Sequence, residues 1–586
     1  MPSTISDPFR PVDLTIEYVD SVAGSRKTFT AVDKAVFNAK RHGTRTIFAM
    51  PTLKLIEEWY GHAKKDGHVP IYEITSTTKS FGSGSIESLI CKHIASRKAY
   101  VGHLLFITHE GFQRVSNWPM QTAGFELYID EVLEAVLSRK PFKLRDSHWV
   151  LTNFLEVMPV PTTIAERNKK IKGPAEFTYP IPGSVKKTDQ DRLDTCEQYL
   201  QPESNASDNE IEMALKEGKR LLEKRDKWIE WLNRDQSDAD RELAQTYYLV
   251  LPKLSSTAQD PMYWIKRRET AKMQDDIYEY LDPIAKWLVQ GNALFTEMHA
   301  WNKAIVNTRD PNTFRDRSRG LITITGFRRP DALSAFGRVT IMSALFTHTM
   351  LHNVWQTLGV KFVRSEIVTV AQTTTDLGKR RLRIYWLTDE GWSKTVRNKS
   401  GGIEKILQLI KDSGVINPKQ SVCTIVNKDN GSEQNPTVVT NIFSKGVVMP
   451  HNVRGQNRWQ HHHQMIHCAA LNSYTSDIRW MESVLGIDSA TQRIGRTGQE
   501  IYQAMMRLSI RDPKSRSNIT MVVMDKDVAE WIPQWFTGAV EVNQIDSSGV
   551  IRKKEKRGPK PIGDKVMTAA ERKRRQRLKH TIVSVE

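Results

Sequence analysis

A chain of 586 residues with a net charge of +18 is too long for one hydrophobic core and implies roughly two to four domains. It has no run of about eighteen apolar residues, which excludes a membrane-spanning helix, and its opening MPSTISDPFRPVDLTIEYVD lacks the basic-then-apolar pattern of a secretory leader. Its four cysteines (Cys91, Cys196, Cys423, Cys468) lie far apart, which excludes a zinc ribbon or a disulfide frame and points to reduced thiols in the cytoplasm.

In chain order, LTIEYVDS predicts a strand, SVAGSRKT a loop, and FTAVDKAVFNAKRHG a helix closed by glycine. RTIFAMPT reads as a strand, LKLIEEWYGHAKKDG as a helix, and HLLFITHE and ELYIDEV as two further strands. Such alternation implies a mostly parallel sheet with helices on both faces. From about residue 160 to 320 the texture turns rich in Lys, Glu and Trp. There IEMALKEGKRLLEKRDKWIEWLNRD sets Ile211, Leu215, Leu222 and Ile229 on one helical face. A largely helical insertion is expected, with Trp228 and Trp231 in its core. Strand character resumes at GRVTIMSALF and RLRIYWLT and continues through SVCTIVN, KGVVMPHN, QMIHCAALN and NITMVVMD. That is a second α/β unit, punctuated by the loops RNKSGG and KDNGSEQNP.

Two segments carry chemistry. SVAGSRKT, residues 21–28, follows the phosphate-loop spacing G-x-x-x-x-G-K-[ST], with Lys27 and Thr28 in place but Ser21 and Arg26 at the glycine positions. Gly24, Ser25, Lys27 and Thr28 are its candidate phosphate ligands, and a side chain at Arg26 restricts positive φ. In ELYIDEVLE the apolar Leu127, Tyr128 and Ile129 lead to Asp130 and Glu131. Polyphosphate hydrolysis needs such a pair: one acid for Mg²⁺, the other for the proton of the attacking water. Either segment alone also fits a surface turn or an acidic helix cap. Their order, each after an apolar strand, favours a nucleotide site.

With these residues in hand the chain resembles the superfamily 2 (DEAD/DEAH-like) helicases and translocases. SVAGSRKT is similar to their A-x-x-G-x-G-K-T loop and DEVL to their D-E-x-x box. FAMPTLKLIEEW resembles their motif Ia, with Pro51 and Thr52 on the nucleic-acid backbone, and FITHEGF their motif Ib, with Thr108 and His109. TIMSALFTHT resembles motif III at Ser343 and Ala344, and HNVRGQN motif V, with Arg454, Gly455 and Asn457. The departures are Arg26 in the loop, Leu133 for the last Asp or His of the box, and the missing Thr after Ala344.

The resemblance implies an α/β chain with two RecA-like P-loop NTPase domains, parallel sheets flanked by helices. It divides into a first domain (1–155), a mainly helical insertion (156–325), a return to the first domain (326–365), a second domain (366–545) and a basic tail (546–586). The substrate would be ATP with Mg²⁺ on Thr28 and Asp130, Glu131 would activate water, and DNA or RNA would lie on Pro51, Thr52, Thr108, Arg454 and Asn457. The insertion is either an appendage or a platform for a protein partner. A phage or plasmid protein in a host cytoplasm, away from membranes, fits the texture. A DNA-packaging terminase-like motor and a degenerate ATPase that only binds nucleic acid are the rivals. Residues 536–586 are too short and basic for the nuclease domain a terminase needs.

Motif VI, Q-x-x-G-R-x-x-R, has two candidates. QRIGRTGQ supplies Gln492, Gly495 and Arg496 but ends in Gln499, whereas QAMMRLSIR supplies Gln503, Arg507 and Arg511. Gly495 and Gly498 predict a turn, and Thr497 with Glu500 a capping box that starts the helix after it. Gln503 and Arg507 then share a helical face, and Arg511 lies just before the strand ITMVVMD. This favours Arg507 and Arg511 as the arginines at the γ-phosphate.

HHHQMIH puts His463 and His467 four apart, a helical metal spacing. The extended, strand-like run separates them, so solvated or nucleic-acid-facing histidines are expected. In the tail, from Arg552 to Glu586, thirteen Lys or Arg stand against four acids, a net of +9. Thr568 and Glu571 open a helix too charged to bury, which suits a phosphate backbone.

Overall fold

The structure, a computed structural model, describes residues 8–77, 84–96, 101–138, 142–143, 155–160, 207, 211–215, 247–252, 276–298, 300–301, 321–367, 374–389, 391–427, 436–451, 458–471, 475–512 and 514–551. They form two compact units: residues up to 373 together with 473–499, and residues 374–472 together with 500 onward.

The first unit is built on a seven-stranded parallel sheet. Its spatial order is Lys361–Arg364, Thr15–Asp20, Arg338–Ser343, Phe125–Asp130, Arg45–Met50, His103–Thr108 and Ile71–Ile74. The interior strand RTIFAM is buried along its whole length, as a parallel strand covered on both faces must be. On one face Phe48 stacks between Phe106 and Tyr128 of its neighbours, ring centroids 5.1 Å apart on each side. The helix Lys27–His42 covers that face through Ala31, Val32, Ala35 and Ala39. Small residues bring it close. A Cβ on Gly102 would lie 2.1 Å from the Ala39 carbonyl oxygen. Gly43 ends the helix at φ 67°, the left-handed cap that glycine takes at low cost.

The expected helical insertion differs in its described part. Val136–Ser138, Ile324–Phe327, Ala293–Glu297, Tyr247–Pro252 and Leu155–Pro159 form a five-stranded sheet, and all its pairings are antiparallel. The helix Asp276–Val289 packs on it. Runs as short as ITGF and ALFTE carry too little alternation to register beside a long charged, helix-like sequence. In the helical residues 211–215 it is Ala214 that is buried, while Leu215 is exposed, so the apolar face set out above faces solvent at Leu215. Leu222, Trp228, Ile229 and Trp231 lie outside the described residues.

The domain limits differ too. Residues 475–499 fold with the first unit although the sequence assigns them to the second domain. Trp480 explains it: its ring lies 5.5 Å from Phe295 and 6.2 Å from Phe327, and Ser138 Oγ donates to Asp477 Oδ2 at 2.8 Å.

The second unit carries a six-stranded parallel sheet in the order Gly446–Val448, Val422–Ile425, Gln464–His467, Ile519–Asp525, Thr375–Thr388 and Phe536–Gln544. Its core includes Ile406, Leu407 and Ile410 from the helix Gly402–Asp412. The solvated histidines expected here are corrected. His467 is buried in a central strand and burial holds its imidazole down to about 3, while His463 Nδ1 bonds Ser509 Oγ at 2.5 Å. No metal-holding group of three or more His, Cys, Asp or Glu occurs among the described residues. Burial raises the Cys423 thiol to about 12 and raises Cys468 as well, so both behave as small apolar residues. No helix among the described residues is long and apolar enough to cross a membrane, and the basic stretch 552–586 lies outside them.

One charged network crosses the first sheet. Arg338 donates through Nε and Nη2 to the two oxygens of Glu17 at 2.7 and 2.6 Å, and Ser365 Oγ donates to Glu17 at 2.7 Å. Burial pushes the Glu17 carboxyl up, yet Arg338 and Ser365 outweigh it and leave it below its ordinary 4.5. A depressed carboxyl stabilises above its unfolded pKa, and that contribution is lost as pH falls through the folded value. Arg338→Leu should therefore cost about 1–2 kcal/mol near neutrality, a charged-hydrogen-bond figure discounted for partial exposure. Thermal melts should show the gap between parent and variant narrowing below about pH 4; a constant gap would refute the assignment.

Candidate functional site

Parallel strands bring their carboxyl ends to one edge, where ligands of open α/β sheets bind. Register fixes which residues meet there. Asp20 pairs with Ser343, and Met342 pairs with Asp130. Asp20, Asp130 and Glu131 thus gather at the mouth of the loop 21–26.

The loop is shaped by backbone, not by glycine alone. Ser25 N donates to Val22 O at 3.3 Å and Ser21 Oγ bonds Ser25 Oγ at 2.7 Å. Gly24 takes φ 91° and Arg26 takes φ 59°, ψ 23°. Arg26 therefore adopts the left-handed conformation that a glycine would supply. The helix Lys27–His42 starts there with no acidic residue in its first turn and no side-chain cap, so its first amides and its dipole favour an anion. Lys27 is buried. Thr28 Oγ1 donates to Asp130 Oδ1 at 2.8 Å, which joins the loop to the acidic box.

Among the described residues three non-glycines have positive φ: Arg26 at 59°, Glu131 at 66° and Leu345 at 52°. All three stand at this edge. Strain of this kind persists where the surroundings over-determine it and clusters at functional sites. Glu131 is held by its amide, which donates to Met342 O at 2.8 Å, and Ser343 Oγ reaches Glu131 Oε2 at 3.4 Å. Leu345 stands where the motif III threonine is missing.

Two residues here make contacts that the sequence did not foretell: Asp20, and His109 of the motif Ib stretch. Asp20 accepts from Phe346 N at 2.9 Å and Thr347 Oγ1 at 3.0 Å, which fixes the loop after Ser343. His109 Nε2 lies 2.9 Å from the Asp130 carbonyl oxygen. An acid at a strand end was the available signal for Asp20. His109 had no signal beyond its place after Thr108.

Thr52 and Thr108 occupy the same edge one and two strands beyond Asp130, since Met50 pairs with Thr108. Each caps a helix: Thr52 accepts from Leu55 N at 3.3 Å and Thr108 from Gly111 N at 2.9 Å. Their hydroxyl protons stay available as donors. Pro51 lies between Met50 and Thr52 at this edge. Arg454 and Asn457 lie outside the described residues.

The motif VI region needs a correction. In place of a turn and capping box, Ser489–Arg493, the π-helical Ile494–Gly498 and Gln499–Met505 follow without a break. Asp488 caps the run by accepting from Thr491 N at 2.8 Å. Gly495 serves packing, not turning: a Cβ there would lie 2.8 Å from Met350 Sδ. The helix stops at Met505, so Arg507 sits in the following turn, its amide on Ala504 O at 3.0 Å, and no longer shares a helical face with Gln503. Gln503 and Arg507 are buried in the second unit, with Arg511 half-buried at the end of the 3₁₀ turn Ser509–Arg511. Arg496 belongs to the first unit; burial lowers its guanidinium and the charges of Asp477 and Glu134 oppose that. Nearby, Gln499 Nε2 donates to Leu345 O at 3.0 Å.

No family model and no curated protein matches the chain. Among solved structures, that of S. tokodaii Xpd4 is similar over 90% of this chain and 96% of its own, at 9% identity and a TM-score of 0.38. A score that low carries no argument about function.

The loop geometry makes a direct prediction. A left-handed side-chain-bearing residue costs about 1–2 kcal/mol, and glycine removes that strain at some cost in backbone entropy. Arg26→Gly should keep both melting temperature and ATP affinity at or above the parent, whereas Arg26→Val should lower both. Calorimetry with ATP checks this. A collapse of affinity in Arg26→Gly would show that the guanidinium is itself a phosphate ligand.

Proposed function

We propose that the chain is an ATP-dependent helicase or translocase acting on DNA or RNA. The observation that carries this reading is the hydrogen bond from Thr28 to Asp130 at 2.8 Å. It sets a phosphate-loop hydroxyl and an acidic-box carboxylate together at the carboxyl edge of a parallel sheet. Gly24, Ser25 and Lys27 surround the polyphosphate. Thr28 and Asp130 offer hard oxygen donors of the kind Mg²⁺ takes and would hold it. When bound, the ion neutralises charge on the β- and γ-oxygens. Glu131 accepts the proton of the attacking water. Lys27 and the amides opening its helix stabilise the charge that builds on the γ-phosphate.

The surplus of positive charge, half of it after residue 551, supports a polyanion partner. Pro51, Thr52 and Thr108 would meet its backbone on the first unit, Arg454 and Asn457 on the second. Because Arg26 already takes the loop conformation, the loop keeps the course a glycine would give it, which favours an active enzyme over a degenerate one. A protein partner on the insertion is a secondary proposal; the phage or plasmid setting has no structural support and is dropped.

The turn and capping box expected around Gly495 favoured Arg507 and Arg511 at the γ-phosphate over the better-spelled Arg496, and a helix replaces that turn. We therefore place Arg496 first, half-buried in the same unit as Lys27. Losing a true arginine finger should lower turnover about 10³–10⁵-fold with ATP affinity nearly kept. Steady-state assays of Arg496→Ala, Arg507→Ala and Arg511→Ala should rank the first slowest; the reverse order returns the role to Arg507 or Arg511.

The reading as a whole is tested by nucleic-acid-stimulated ATP hydrolysis. Lys27→Ala should abolish turnover, since it removes charge-assisted contacts worth about 1.5–3 kcal/mol each. Glu131→Gln should bind ATP and stop hydrolysis. Parent-like turnover in both variants would show that the site is misassigned.

A further inference from the structure

We infer that His109 is a positioning residue that holds Glu131 in its working orientation and ties that orientation to the nucleic-acid edge. The inference rests on the hydrolytic reading of Glu131 above. The peptide joining Asp130 to Glu131 is gripped on both sides. Its N–H donates to Met342 O at 2.8 Å, and its carbonyl oxygen lies 2.9 Å from His109 Nε2. A carbonyl only accepts, so Nε2 carries the proton and donates. The residue that follows is Glu131 at φ 66°, a conformation a glutamate does not keep unless the surroundings impose it. Met342 and His109 supply that restraint from opposite directions, and Ser343 Oγ, 3.4 Å from Glu131 Oε2, steadies the carboxylate end.

The placement of His109 gives the restraint a second meaning. Its strand, His103–Thr108, is separated from Phe125–Asp130 by the strand Arg45–Met50. The contact therefore links segments that leave strands two spacings, roughly 10 Å, apart, across the end of the strand that carries Pro51 and Thr52. It opens the helix His109–Arg114, which Thr108 caps through Gly111 N at 2.9 Å. A nucleic acid that pulls on Thr108 or shifts this helix moves the imidazole and with it the Asp130 carbonyl. The last residue of the acidic box is Leu133, whose side chain is buried in the apolar core. His109 does from outside the box what a polar side chain at that position could do from within.

The test uses the full chain with His109→Ala and His109→Gln, since glutamine retains an N–H donor. ATP turnover is measured with and without single-stranded DNA or RNA oligonucleotides, beside ATP binding by calorimetry. His109→Ala should lower stimulated kcat about 10–100-fold, the scale of a small misplacement of a reacting group, with KM and ATP affinity within about twofold of the parent. His109→Gln should recover most of the loss. Parent-like stimulated turnover in His109→Ala overturns the inference. So does an equal loss in both variants accompanied by a lower melting temperature, which marks a packing role. A crystal structure of His109→Ala reads the link without turnover: Glu131 leaving the left-handed region supports it, and Glu131 staying at positive φ overturns it. A parent that hydrolyses no ATP would instead refute the hydrolytic reading beneath it, and the two failures are thereby told apart.

Discussion

The hydrogen bond between Thr28 and Asp130 joins side chains 102 residues apart in sequence, and the sheet exists in the form that makes it possible. Thr28 begins a helix that leaves one strand; Asp130 ends another. The two strands are not neighbours. Arg338–Ser343 lies between them, so a strand from far along the chain must insert before the two groups align. Its register then does two further jobs. It sets Asp20 opposite Ser343, and it supplies the Met342 carbonyl that holds the Glu131 amide. A slip of one residue in that strand would turn every side chain to the other face and remove both.

The same edge concentrates cost. Three acids, a buried lysine and three left-handed side chains sit within one cluster of strand ends. None of these is favourable alone. Burial of charge is expensive without partners, and positive φ is expensive without glycine. The sheet beneath offsets both with strands that are apolar on two faces and with stacked rings at Phe48, Phe106 and Tyr128. A rigid, overbuilt core beneath a strained edge is the arrangement expected of a site that must hold reacting groups in place.

How much of this could be read in the sequence depended on whether the signal was local. Strands such as RTIFAM and HLLFIT announce themselves by composition, and so do Lys27, Thr28, Asp130 and Glu131 by spacing. The antiparallel sheet in the insertion did not, because its strands are short and widely separated. Gly495 was misread because a glycine demanded by the approach of Met350 looks the same in sequence as one that turns the chain. His467 was misread because its burial depends on strands on either side of it, which no local pattern records. Asp20 was passed over, and the contact of His109 was not foreseen, for the same reason: what they touch lies hundreds or tens of residues away.

The departures from the family pattern take on a common sense once the edge is assembled. Each puts a larger or apolar side chain where the pattern has a small or polar one: Arg26, Leu133 and Leu345. Two of the three positions answer with backbone, taking positive φ so that the loop keeps its course despite the side chain. The third, Leu133, answers by burial, adding its side chain to the core. Asp20 holds the segment after Ser343 through Phe346 and Thr347, and His109 holds the carbonyl of Asp130. Conformation and second contacts together keep an edge that spelling alone would have judged broken, and it follows that substitutions at Asp20 or His109 bear on this site as directly as those within the loop and the acidic box.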